Sequence, residues 1–239
     1  MNFRRELMGL LLFGVAFGYV EAAVVVYMRA ISEPLRQRVL TGPPHDEVFP
    51  LLRIDDWEQA GQKTVIVTEF AREFATMVML AAVAMIGARS VRHWFAAFMI
   101  AFGTWDIFYY VFLRLLIGWP ASLWTWDILF FLPVAWVGPV IAPVLVAAGM
   151  ILAGSLMLWK ESIGQPMPLS RLHWSLILGG GLVVIVAFCW DFRNVAAGGL
   201  PKTFNWPLFA LGNLIGLAGF VHSLRRRPTP HAVLTLLER

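Results

Sequence analysis

Glu69, Arg72 and Glu73 fall within Thr68-Glu69-Phe70-Ala71-Arg72-Glu73-Phe74, the head of an apolar run that continues from Ala75 to Ile86. At helical spacing Glu69 and Glu73 are one turn apart on a face and Arg72 is three from Glu69, so the three side chains can meet on neighbouring turns. Ionisable groups inside a membrane segment are costly, and by default they mark a functional site. Asp106, Tyr110 and Arg114 are each four residues from the next and form a second polar stripe. Glu21 and Asp127 are further acids in apolar surroundings. Carboxylates of this kind can ligate a hard or borderline divalent metal, carry protons, or act as general acid and base. Arg72 and Arg114, with Tyr110, are the candidates for holding a phosphate or another anionic group of a substrate.

The elements that must position these residues are membrane helices. The chain has 239 residues, 59% of them hydrophobic and 14% charged, and a mean hydropathy of +0.71. These values are far from those of a soluble domain and predict an all-α polytopic membrane helix bundle forming a single transmembrane domain over 1–239. The bilayer is therefore the principal partner, with other membrane subunits or a second copy of the chain left open. The net charge of +4 needs no nucleic acid to explain it, because the basic residues cluster at the ends of apolar runs. Cys189 is the only cysteine, which excludes an intrachain disulfide and any multi-cysteine metal centre.

Hydropathy places about six spans, near 7–28, 65–87, 94–118, 138–159, 172–190 and 204–222. The first is too long for the apolar core of a signal peptide and reads as a retained anchor. Residues 29–63 form the one substantial hydrophilic loop, with a short surface helix expected over 48–60 and a solvated cluster of His45, Asp46, Glu47, Asp55, Asp56 and Glu58. Pro133, Pro139 and Pro143 rule out a single helix from Trp124 to Trp159, so a short interfacial or re-entrant helix over 122–132 is expected before the fourth span. Gly14 and Gly18 predict a close helix contact, and Gly179-Gly180-Gly181 predicts close packing or a hinge. Thr104-Trp105-Asp106-Ile107 recurs as Thr125-Trp126-Asp127-Ile128, too short to be a structural repeat of the usual kind.

Positive charge orients the bundle. With both termini cytoplasmic, Arg4, Arg5, Arg89, Arg92, Lys160, Arg171 and Arg225 to Arg227 lie inside, as expected for the inner (plasma) membrane, and the 29–63 loop becomes periplasmic. Depth follows from a rise of about 1.5 Å per residue through about 30 Å of hydrocarbon. Glu21 then lies about 9 Å below the outer surface, and Glu73 and Asp106 about 12 Å below it. Glu69, Asp127 and Arg114 fall nearer that surface, Arg72 lies among them, and the inner half holds no charge. Five acids facing Arg72 and Arg114 cannot all be ionised in low dielectric unless a proton or a bound cation neutralises some of them.

These observations predict one acidic pocket open toward the periplasm, in which Glu21, Glu73 and Asp106 approach one another, with Glu21, Glu69, Glu73, Asp106 and Asp127 as candidate metal ligands and Arg72, Tyr110 and Arg114 as candidate substrate contacts. His93, His173 and His222 lie at the cytoplasmic ends of spans, which argues against a bis-histidine haem or a copper site. A divalent metal held by carboxylates remains a candidate cofactor. Three functions fit: a cation site for metal or protons serving membrane chemistry or transport, an outer-leaflet enzyme acting on lipid, and a non-catalytic accessory subunit of a membrane complex.

Overall fold

The computed structural model describes residues 2–39, 63–132, 134–196, 199, 201 and 203–225. In chain order these residues form α1 (Phe3–Val39), α2 (Lys63–Ile86), α3 (Val91–Ile117), β1 (Trp126–Phe130), β2 (Trp136–Pro139), α4 (Ile141–Ser162), α5 (Arg171–Phe188), the short α6 (Phe192–Ala196) and α7 (Trp206–Arg225). Among the described residues, five helical stretches are long and apolar enough to cross a membrane: Phe3–Ile31, Val91–Ile117, Ile141–Ser162, Arg171–Val195 and Trp206–Arg225. The chain is a polytopic all-α helix bundle.

The expected second span, α2, is not among those five. Its charge-free stretch from Phe74 to Ile86 rises only about 20 Å, short of the roughly 30 Å of hydrocarbon. Its other part carries Glu69, Arg72 and Glu73, and those charges set it apart. The first helix is longer than expected: residues 29–39, read as the start of the loop, continue α1 to Val39. The expected surface helix over 48–60 and the acidic cluster beside it lie outside the described residues.

α3 is the centre of the bundle, with α1, α4 and α2 all packed against it. Lipid tails are as apolar as leucine, so such contacts depend on close packing rather than on excluding water. The small residues make that possible. A Cβ on Gly14 would lie 2.6 Å from Thr104 Cβ, and one on Gly18 would lie 3.0 Å from the Trp105 carbonyl oxygen, so α1 and α3 touch backbone to side chain, as the glycine pair predicted. On the opposite face of α3, a Cβ on Gly154 of α4 would stand 2.6 Å from the Ala96 carbonyl oxygen. α5 and α7 make a second close pair, in which a Cβ on Gly180 would lie 2.6 Å from the Gly212 carbonyl oxygen. Gly179 and Gly181 face open space, so one glycine of the triplet does the packing.

The connection between α3 and α4 departs from expectation. Residues 126–130, placed in a short helix by the sequence reading, form β1, paired antiparallel with β2. Trp126 is opposite Pro139, Asp127 opposite Gly138 and Ile128 opposite Val137. The two strands are rich in Trp, Ile, Phe and Val, which favour extended backbone. Pairing the two strands gives their N–H and C=O groups partners where water is scarce. Phe188 of α5 lies against this hairpin: a Cβ on Gly138 would stand 2.8 Å from the ring.

Replacing Gly14 by leucine is expected to force α1 off α3 and to lower the melting temperature of the purified protein, at a cost of about 1–3 kcal/mol from overpacking. The same change at Gly9, where nothing lies within 4 Å, leaves the melting temperature unchanged in a thermal scan in detergent.

Candidate functional site

The predicted acidic residues are gathered into two groups near the end of the bundle where α3 stops and α4 begins. The first surrounds Arg72. Its Nε donates to Glu69 Oε2 at 2.9 Å and its Nη2 to Glu69 Oε1 at 2.6 Å, a fork-to-fork pair made possible by the three-residue spacing on α2. Its Nη1 donates to Glu21 of α1. Arg72 thus ties α2 to α1 through Glu21, while Glu69 braces it from its own helix. Thr76, one turn further along α2, places its hydroxyl 3.4 Å from Glu21 Oε2.

Glu73 is buried and points elsewhere. Its carboxylate accepts from the Phe131 backbone N–H, at 3.0 Å to Oε2 and 3.3 Å to Oε1. Phe131 follows β1 directly, and its ring meets Phe70 of α2 edge-on at 6.0 Å. Glu73 and Phe70 are therefore the points where α2 grips the hairpin. Glu73 stays within electrostatic reach of Glu69, Arg72 and Glu21.

The second group joins α3 to β1. The Tyr110 hydroxyl donates to Asp127 Oδ2 at 2.8 Å, with Asp127 only 1% exposed. Burial pushes the Asp127 carboxyl up to about 6, against the opposite pull of the Tyr110 hydrogen bond. Asp106, one turn before Tyr110, is within electrostatic reach of Asp127, and its buried Oδ2 has no hydrogen-bond partner among the described residues. A register shift between Ile128 and Phe130 helps to explain the aim of these groups. Past such a bulge the strict alternation of faces is broken, so Asp127 reaches Tyr110 and Phe130 meets Trp105 of α3. Trp126 and Leu129 pack on the other side, against the aromatic cluster of α5 and α7.

The predicted residues do not form one group: Arg72 binds Glu69 and Glu21, Glu73 binds the Phe131 N–H within electrostatic reach of them, and Asp106 lies near Asp127, which binds Tyr110. Among the described residues, no group of three or more His, Cys, Asp or Glu side chains is arranged to hold a metal ion. Arg114 is bound to its own chain: Nη1 donates to the Gly118 carbonyl at 2.5 Å and to the Pro120 carbonyl at 3.1 Å, holding the turn that ends α3. The two Thr-Trp-Asp-Ile copies sit on a helix and on a strand, yet their aspartates are the two members of the second group.

Sequence reasoning missed one polar contact. At the opposite end, His93 in the first turn of α3 is flanked by Glu161 of α4, 3.1 Å from Nδ1, and by Glu6 of α1, 2.5 Å from Nε2. Each ring nitrogen of His93 thus faces a carboxyl group from a different helix. All three residues fall at the same edge of their apolar runs, and a depth argument applied to that edge would have grouped them.

Comparison with protein-family models, with curated proteins and with solved structures returned no match to this chain. The fold and the site therefore define a class, a multi-pass helical membrane protein with buried carboxylates, and no family.

Replacing Arg72 by methionine would leave Glu21 and Glu69 without their cation. The expected loss is about 3–5 kcal/mol, the cost of breaking a buried pair by removing one partner. Adding Glu21→Gln and Glu69→Gln to the same protein is expected to recover most of that loss, read as melting temperature and as yield of monodisperse protein.

Proposed function

We propose that this chain is a multi-pass inner-membrane protein with cytoplasmic termini, whose outer-half carboxylates bind a cation, and that the cation is a proton serving membrane chemistry or transport. Asp106 carries the reading. Its Oδ2 is buried without a partner among the described residues and faces the field of Asp127. Two neighbouring carboxylates in low dielectric do not both ionise, and one shared proton removes the conflict. Tyr110 donates to Asp127, which supports Asp127 as the charged member and Asp106 as the proton carrier. Proton occupancy requires no third ligand, in keeping with the division of the acids into two groups.

On this reading α2 completes the expected six spans. Arg72 is neutralised by Glu69 and Glu21, and the remaining polar group, Glu73, is occupied by the hairpin. A second reading, an accessory subunit whose ion pairs fix helix register, is favoured by the saturation of Arg72 within the chain. The lipid-enzyme reading has less support, because Arg72 and Arg114 already spend donors on their own chain.

The test is infrared spectroscopy of the protein reconstituted in lipid, with metal analysis of the same chelator-washed sample. A protonated-carboxyl band that shifts in deuterium oxide and disappears in Asp106→Asn, with no stoichiometric metal, is the expected result. A stoichiometric metal lost in Asp106→Asn would replace the proton with a metal. With the variant folded, no band and no metal would leave the accessory-subunit reading.

A further inference from the structure

A pocket of about 290 Å³ opens at the same end of the bundle as the acidic groups, on the other side of the hairpin. Its lining is Trp124, Trp126, Pro139, Thr203, Phe204 and Trp206. Three separate stretches contribute: the turn before β1, the two strands, and the residues that lead into α7. The floor is fixed, since Phe204 is buried among Phe188 and Phe209 and Trp126 packs against the same cluster. The walls are more open, with Trp124 67% exposed and Trp206 36% exposed.

The rings are set at steep angles to one another. Trp124 and Trp206 meet at 68° with centroids 6.0 Å apart, and Phe204 and Trp206 at 77° with centroids 4.9 Å apart. Rings that line one cleft at such angles give it aromatic surface on more than one side, and no carboxylate or cationic side chain is among its described lining residues. Such a lining suits a bulky, weakly hydrated cation, which gains from each ring face without needing a hydrogen bond. A tryptophan at this end already works in this way: the Arg29 guanidinium lies 5.0 Å from the centre of the Trp119 ring. Tryptophan is common at membrane interfaces simply as an anchor. An anchor, however, does not require a concave arrangement with a buried floor.

We propose that this aromatic pocket binds a quaternary ammonium group, presented either by a lipid headgroup or by a free solute. The strand geometry gives the site a structural link to the acidic pair, because Trp126 lines the pocket while its neighbour Asp127 faces Tyr110. The proposal does not depend on the proton reading, since its ligand and its residues are different.

The test titrates the full-length protein in detergent with tetramethylammonium, with phosphocholine and with 3,3-dimethylbutanol, the uncharged isostere of choline, following tryptophan fluorescence. Both quaternary ammonium ligands are expected to bind at least tenfold more tightly than the alcohol. Trp206→Leu and Trp124→Leu are each expected to weaken the cations by about threefold to tenfold, the size of a cation–π contact, and to leave the alcohol little changed. Nanodiscs of phosphatidylcholine against phosphatidylglycerol separate the sources: competition with tetramethylammonium only in phosphatidylcholine identifies the headgroup, and equal binding in both identifies a free solute. Equal affinity for the alcohol and the cations, or no saturable response in detergent from a protein that melts normally, would overturn the proposal and leave the tryptophans as interface anchors.

Discussion

A guanidinium placed within apolar surroundings must find carboxylates or leave, and Arg72 is the residue on which this bundle turns. It cannot be deprotonated to escape the cost, so its charge has to be matched by geometry. Glu69 supplies a bidentate partner from the same helix, and Glu21 supplies one from α1. The first of these is local and would form in an isolated α2. The second fixes α2 against α1 at one height, although α2 packs mainly on α3. A helix with only about 20 Å of uncharged length has little apolar surface to hold it in a bilayer. Its position depends on charge pairing, and so does the position of Glu73.

The hairpin follows from that placement. Extended backbone at membrane depth is tolerated when its polar groups are paired within the protein. β1 and β2 pair with each other, and the Phe131 N–H beyond the strand end is taken by Glu73. One carboxylate therefore satisfies a main-chain donor that would otherwise be exposed to an apolar interior. In turn the hairpin brings Asp127 against Tyr110 on one side and Trp126 against the α5 and α7 aromatics on the other. It joins the α1, α3 and α4 layer to the α5 and α7 pair, and both candidate sites border it.

What the sequence made legible was set by helical periodicity and by depth. Spacing of three and four placed Glu69 with Arg72, and counting residues from the ends of apolar runs brought Glu21 to the height of Arg72 from a different helix. The glycines four apart on α1 announced their contact with α3 for the same reason. The hairpin was not legible, because Trp126 to Phe130 is apolar in either conformation and the choice rests on a partner strand beyond Pro133. Nor could sequence show that Glu73 would bind a main-chain amide, since every residue but proline carries one. The separation of Asp106 from the Arg72 group turns on helix rotation, which depth does not report.

The interior between the two ends of α3 bears on what an acid pair at one end can do. His93 and Asp106 are thirteen residues apart on one helix, or about 20 Å. The buried side chains between them are Ala96, Ala97, Met99, Ile100, Ala101, Thr104 and Trp105. Thr104, whose hydroxyl could have served as a relay, donates instead to the Ile100 carbonyl of its own helix at 2.7 Å. Leu10, Leu80, Ala84 and Met157 close over the same stretch from α1, α2 and α4. On the proposed reading a proton held at Asp106 would exchange through the hairpin end, because a largely apolar layer separates it from the Glu6, His93 and Glu161 contact at the other end. Within the proposed reading, this apolar layer favours a proton site that works from one end of the bundle over a conduit through it.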